Sequence, residues 1–301
     1  MRIEIFDVEL GQCIWVTADD GSVMLIDCGH NATTGWRPSA LLAERQIGWL
    51  SQLAISNCDE DHASDLYHVL LRLGNPDGSF RIGYFNHNRT ITPAVLRAMK
   101  DGEPGLGVRC VAHLYEKFGV LAPGEVAPLG PIAIRHYRNS YPQDFANPAV
   151  NGFSNNLSLV TLLHYRDIHM LIPGDLEEPG WRRLLLNADF RTELGTVNVF
   201  IAPHHGRGNG YCAEVFRHCH PQVIIISDDR VQYDTQNGIY GSDEAAGLLM
   251  FDRFRPGLLN FQNRYVLTTR RDTTNDNPVI VIEQTPTGSA QITTARETGF
   301  L

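Results

Sequence analysis

Three short apolar strands each run into a polar cluster, and this repeated placement constrains the 301-residue chain more than any other feature. The segment QLAIS (52–56) leads into Asn57-Cys58-Asp59-Glu60-Asp61-His62, HMLI into Pro173-Gly174-Asp175, and VNVFI into Ala202-Pro203-His204-His205-Gly206. In layered α/β proteins the crevice outside the carboxyl ends of the strands is where ligands bind. Asp and His supply oxygen and nitrogen donors for a divalent ion. Each cluster also has an ordinary reading. Acids at a helix start complement the macrodipole, Gly-Asp turns cap helices, and histidines are often exposed. The shared placement, more than any one cluster, favours a metal site built from Asp59, Asp61, His62, Asp175 and a histidine from 204–205.

The rest of the chain supplies the frame. Segments 2–8, 13–18 and 22–27 are β-rich, with Asp19-Asp20-Gly21 as a hairpin turn. Pro38 opens a predicted helix to about residue 50, and Leu66, Val69, Leu70 and Leu73 have helical spacing. Residues 75–155 are less regular: a strand FRIGYF, a helix near 93–100, and a long loop NSYPQDFANPAVNG. The second half alternates clearly. SLVTLLHY and IHMLIPGD read as strands, EEPGWRRLLLNA as a helix, VNVFIAP and QVIIIS as strands, with helices near 212–219 and 243–252 and β-rich tails at 264–269 and 278–294. Two runs of strands followed by helix–strand alternation predict two sheets sandwiched between helices, in one domain covering 1–301.

Charge and cysteine use narrow the setting. A net charge of −9 argues against a broad basic surface for gripping nucleic acid, while leaving a short phosphate segment open as substrate. The 6 cysteines form no C-x-x-C pair and read as scattered reduced thiols. The N-terminus MRIEIFDVEL alternates like a strand rather than a signal peptide, and no apolar stretch is long enough to span a bilayer. A cytoplasmic location is the expectation.

In order along the chain, the motifs resemble the DNA-uptake (ComEC-like) branch of the metallo-β-lactamase superfamily. That branch carries V-G-Q-G-D, L-I-D-x-G, H-x-D-x-D-H, N-N-x-S-L-V, L-x-G-D, H-H-G-S and Y-G-H-P. Here stand Val8-Glu9-Leu10-Gly11-Gln12-Cys13, Leu25-Ile26-Asp27-Cys28-Gly29, and Asn57 through His62. Asn155-Asn156-Leu157-Ser158-Leu159-Val160, Ile172-Pro173-Gly174-Asp175, His204-His205-Gly206 and Tyr240-Gly241-Ser242 follow. The resemblance implies a four-layered αβ/βα metallo-β-lactamase sandwich with one or two divalent ions at a rim: zinc or manganese, with magnesium possible. One ion would take positions 57 and 59 with the His204-His205 pair. The other would take Asp61, His62 and position 242, with Asp175 bridging.

The implied activity is a metal-dependent hydrolase of phosphodiester or nuclease-like type, using a metal-bound hydroxide. Its catalytic groups would be Asp61, Asp175 and His205, with Arg207 and Asn156 on the substrate, a small phosphodiester or single-stranded nucleic acid. Hydrolysis of a lactone, thioester or β-lactam is an alternative. Three departures bear on all of this: Asn57 and Ser242 stand where the branch has histidine, and Arg207 where it has serine. Weaker oxygen donors at 57 and 242 shift the preference toward harder ions. They also raise a second alternative, a binding or regulatory module without catalysis. His30 and His87 are the residues that could fill a vacancy, although both read as loop histidines.

Overall fold

The computed structural model describes residues 1–73, 80–100, 103–118, 128–147, 152–228, 238–253, 261–270, 279–284 and 288–301. The first half holds β1 (Arg2–Phe6), β2 (Ile14–Thr17), β3 (Val23–Ile26), α1 (Pro38–Glu44), β4 (Trp49–Ala54), α2 (Glu60–Ala63), α3 (Leu66–Leu73), β5 (Arg81–Asn86), α4 (Pro93–Met99) and α5 (Leu106–Lys117). Then come β6 (Ala133–Tyr137), α6 (Phe153–Asn156), β7 (Val160–Tyr165), β8 (Ile168–Ile172), α7 (Glu178–Leu184), α8 (Ala188–Leu194), β9 (Val199–Ile201) and β10 (Val223–Ile226). The described elements of the tail are β11 (Leu248–Asp252), β12 (Phe261–Arg264), β13 (Val266–Thr268), β14 (Val279–Gln284), β15 (Ala290–Thr293) and β16 (Glu297–Phe300).

These strands form two sheets, one of 10 strands in the order β12-β11-β16-β15-β14-β1-β2-β3-β4-β5 and one of 6 in the order β13-β10-β9-β8-β7-β6. Strands buried on both faces need apolar side chains at every position. In β10, all of VIII is buried. Val223 and Ile225 enter the core between the sheets, whereas Ile224 packs under helices with Trp181, Leu184 and Phe190. The same division occurs in the larger sheet: Met24 and Ile26 meet Met170, Ile172 and Ile201, while Leu25 lies under Leu42, Leu66 and Val111. The layers therefore run helix, sheet, sheet, helix, an αβ/βα sandwich of two sheets.

Strand direction positions the site. β3 pairs parallel with β4, and β8 and β10 each pair parallel with β9. Their carboxyl ends therefore lie along one rim of each sheet. The two rims are stitched together, since Leu159 N–H donates to the Ser56 carbonyl at 2.7 Å and the Ser227 hydroxyl donates to the Gly11 carbonyl at 2.8 Å.

Some local expectations change. The predicted helix at 243–252 is a turn followed by β11, because Gly247 sits at φ 91°, outside the helical region, and Leu248–Asp252 pairs with β12 and β16. Near 212–219 only a short 3₁₀ turn at Val215–Arg217 forms. The first helix stops at Glu44, and Gln46 at φ 54° turns the chain into β4. The segment read as one helix at 177–188 ends early. The Asn187 side chain then accepts from the amides of Asp189 and Phe190 and starts a second helix, α8. In the irregular middle third, α5 and β6 were not expected, and residues 148–151 of the long loop lie outside the described residues.

Candidate metal centre

His62 anchors the site from the larger sheet. It lies in α2, directly after the turn that leaves β4, and is fully buried. Its Nδ1 is 2.8 Å from Asp27 Oδ2 and its Nε2 is 2.9 Å from Asp175 Oδ1. Asp27, at the end of β3, is itself held by the Ser56 amide at 2.7 Å, the Ser56 hydroxyl at 2.5 Å and Gln12 Nε2 at 2.9 Å. A carboxylate on Nδ1 keeps that nitrogen protonated and directs Nε2 at the site, the arrangement that orients ligating imidazoles. Burial alone lowers the His62 pKa, but the carboxylates of Asp175 and Asp27 outweigh it and hold the imidazole well above its ordinary value.

His205 arrives from the smaller sheet, just past β9, and is oriented the same way. Its Nδ1 lies 3.1 Å from the Ser227 carbonyl, which can only accept, so the proton sits on Nδ1. Nε2 is 3.4 Å from Asp175 Oδ1 and 3.6 Å from Asp61 Oδ2. The two rings stand 5.3 Å apart. Burial opposes the charge on Asp175, yet the His62 and His205 imidazoles hold it far below the usual carboxylate range. The same contest, with a His205 hydrogen bond and the His62 charge winning over burial, lowers Asp61.

Backbone strain marks the same place. His204 at φ 50°, His205 at φ 55° and Asp27 at φ 61° are non-glycine residues in the left-handed region. Each such residue costs about 1–3 kcal/mol and persists only where the surroundings impose it. Gly11 serves a related purpose, because a Cβ there would come within 2.3 Å of the Asp61 carbonyl oxygen. The loop after β1 can therefore close on the turn that carries Asp61 only with glycine at that position.

Ligand atoms of Asp61, His62, Asp175 and His205 all lie within 4.8 Å of one another. Two imidazoles with Nε2 turned inward and two carboxylates held ionised fit a divalent ion.

The other residues singled out in the sequence lie differently. Asp59 pairs with Lys100 Nζ. His204 Nε2 is 2.9 Å from Arg207 Nη1, so the guanidinium occupies its lone pair, and Nδ1 faces Glu177 Oε1 at 3.7 Å. Asn57 Nδ2 donates to Asp175 Oδ2 at 3.0 Å and to Asn155 Oδ1 at 2.8 Å, leaving its own Oδ1 buried without a hydrogen bond. Asn156 joins α6 to α7, accepting from Gly180 N–H at 2.6 Å and donating to the Gly152 carbonyl at 2.8 Å. Ser242 is exposed on a turn. His87 stacks on Tyr115 at 3.8 Å, where burial pushes its pKa down to about 4. His30 bonds the Ser64 hydroxyl through Nδ1 at 2.7 Å.

Three contributors had no assigned role in the sequence reading: Asp27, Asn155 and the Ser227 carbonyl. For Asp27 a signal existed, since an acid closing the apolar run VMLI must find buried partners. A backbone carbonyl has no sequence signature.

No protein-family model matches the chain. No curated protein matches it either. Among solved structures it is similar to CmlA, a diiron β-hydroxylase from Streptomyces venezuelae, with a TM-score of 0.36 and 14% identity over 66% of this chain and 34% of that one. The chain spans about a third of that protein's length. A likeness at this level carries no argument about chemistry, which rests on the residues themselves.

Proposed function

We propose that this protein is a metal-dependent hydrolase that holds one divalent ion on Asp61, His62, Asp175 and His205 and acts on phosphodiesters. The observation that carries the reading is the convergence of these four side chains, from two sheets, within 4.8 Å. The choice of bond rests on the motif resemblance to the DNA-uptake branch, because one fold hosts many chemistries. A bound ion would supply Lewis acidity, easing ionisation of a water and offsetting charge on a phosphoryl oxygen.

The protein's part is placement. His62 and His205 are fixed through Nδ1 and cannot rotate without losing Asp27 or the Ser227 carbonyl. Asp175 is locked by Asn57 on Oδ2 and by the amide-to-Ser158 bond at 3.2 Å. Asp61, with 36% of its side chain exposed, is the member that reaches solvent, and in this reading it aligns the attacking water through Oδ2. Arg207, anchored on His204, would meet a phosphoryl oxygen, a role suited to the guanidinium fork. Asn156 is not retained as a substrate group, since both ends of its amide are used in joining helices.

The second reading, a binding module without catalysis, draws on Asn57 and on the separate engagement of Asp59 and His204. Turnover of bis(4-nitrophenyl) phosphate with zinc or manganese added in turn separates the two. We expect metal-dependent release of nitrophenolate that disappears in Asp175→Ala. A folded wild type that binds metal but turns over neither this diester nor short single-stranded DNA would favour the binding module.

One domain over 1–301 and a reducing, cytoplasmic setting belong to the same proposal. All six cysteines are buried free thiols, and no described helix is long and apolar enough to cross a membrane.

A further inference from the structure

Beside the metal centre, and sharing Asp61 with it, lies a cavity of about 370 Å³. Its apolar wall comes from Val8, Leu10 and Ala32, and its polar end from His30 and Ser64. Ser64 fixes that end: its oxygen accepts from the His30 amide at 3.1 Å and lies 2.7 Å from His30 Nδ1. In the tautomer in which the Ser64 hydroxyl donates to Nδ1, the ring proton sits on Nε2, which has no hydrogen bond among the described residues.

The charged groups of the wall share one sign. Glu9 and Glu60 line it, together with Asp61, whose charge a bound ion would offset. Glu9 accepts from the Thr33 amide at 2.8 Å, and Glu60 accepts from the amides of Gly107 and Val108 at 2.9 and 3.2 Å. The nearby cation Arg37 is paired with buried Asp65 at 3.0 Å. An anion entering this space meets carboxylates held in place by the backbone, whereas an uncharged group meets an apolar wall and one N–H donor.

We propose that this cavity seats an uncharged, largely apolar ester arm of the substrate, with His30 Nε2–H donating to the arm's oxygen, and that it rejects a negatively charged arm. The inference rests on the hydrolase reading and narrows it: small diesters with a neutral arm are substrates, and polyanions such as nucleic acid are not. His30 is then a specificity and positioning residue rather than a metal ligand.

The test has a binding half and a turnover half. In the purified full chain, phenol should shift the His30 ring signals saturably in NMR titration, and 4-hydroxybenzoate should not. Ala32→Lys, a change at an exposed wall position, should admit 4-hydroxybenzoate. In turnover, phenyl 4-nitrophenyl phosphate should exceed its 4-carboxyphenyl counterpart by at least roughly tenfold in kcat/KM, the scale of a like-charge encounter near a surface. His30→Gln should raise KM for the phenyl diester with kcat little changed. His30 signals that ignore phenol, or 4-hydroxybenzoate binding as well as phenol, would overturn the proposal whatever the turnover. Failure to hydrolyse either diester with any metal would instead sink the hydrolase reading, and the titration would still decide the cavity.

Discussion

The two halves of the rim use similar residues and differ in where those residues point. On one side His62 and His205 send Nε2 toward shared carboxylates while Nδ1 is held by Asp27 and the Ser227 carbonyl. On the other, Asp59, His204 and Asn57 are each engaged elsewhere, with Lys100, with Arg207, and with Asn155 and Asp175. A histidine at 57 could direct a lone pair into this second half, whereas the asparagine amide donates and closes it. Residue type alone does not make a ligand; the second hydrogen-bond partner decides which atom faces the site.

If the comparison holds, removing a ligand on the convergent side has the largest effect. Asp175→Ala should abolish metal retention and lower activity by several orders of magnitude, while the fold survives because the group lies at the rim. Metal content and turnover of the same preparation check this, and full metal retention would break the comparison.

Next in size is Asp27→Asn, at a residue that is not itself a proposed ligand but holds His62 through Nδ1. Loss of an orienting carboxylate costs about 10–100-fold in metal affinity, readable by competition with a chromogenic chelator. An unchanged affinity would mean that the Asp27–His62 pair is structural only.

Asn57→His sharpens the contrast. With Asp59 and His204 still engaged, the variant should bind no second ion, and its metal count per chain should stay as in the wild type. A rise to two ions would show that Asn57 alone keeps the other half closed.

The smallest effect is on stability against pH in metal-stripped protein. Asp61 and Asp175 have lowered pKa values, so their contribution is complete above the ordinary carboxylate value of about 4 and is lost as pH falls. His62 has a raised pKa, so its contribution is complete below about 6.5 and is lost as pH rises toward the folded value. Urea midpoints should therefore plateau between these limits and decline on the alkaline side, less steeply in Asp27→Asn.

Much of this was legible in the sequence, for physical reasons that differ by residue. The layers followed from two runs of strands, each leading into helix–strand alternation, and the rim followed from polar clusters at strand ends. Asp59, Asp61, His62, Asp175 and one of the two histidines were named together from that placement, and of these Asp59 pairs with Lys100 instead. The choice between His204 and His205 was not readable, because consecutive left-handed residues send the two rings to different partners. Likewise the helix expected at 243–252 came from Ala, Leu and Met, good helix formers, and tertiary pairing of Leu248–Asp252 overrode that preference. Asn57 showed its residue type but not that its amide would be directed at Asp175.

The most direct test of the account is a crystal structure of zinc- or manganese-loaded protein with anomalous scattering measured at the metal edge. One peak within coordination distance of Asp61, His62, Asp175 and His205, with His204 still on Arg207, is the predicted result. Two peaks, or a single peak bound through Asp59 and His204, would contradict it.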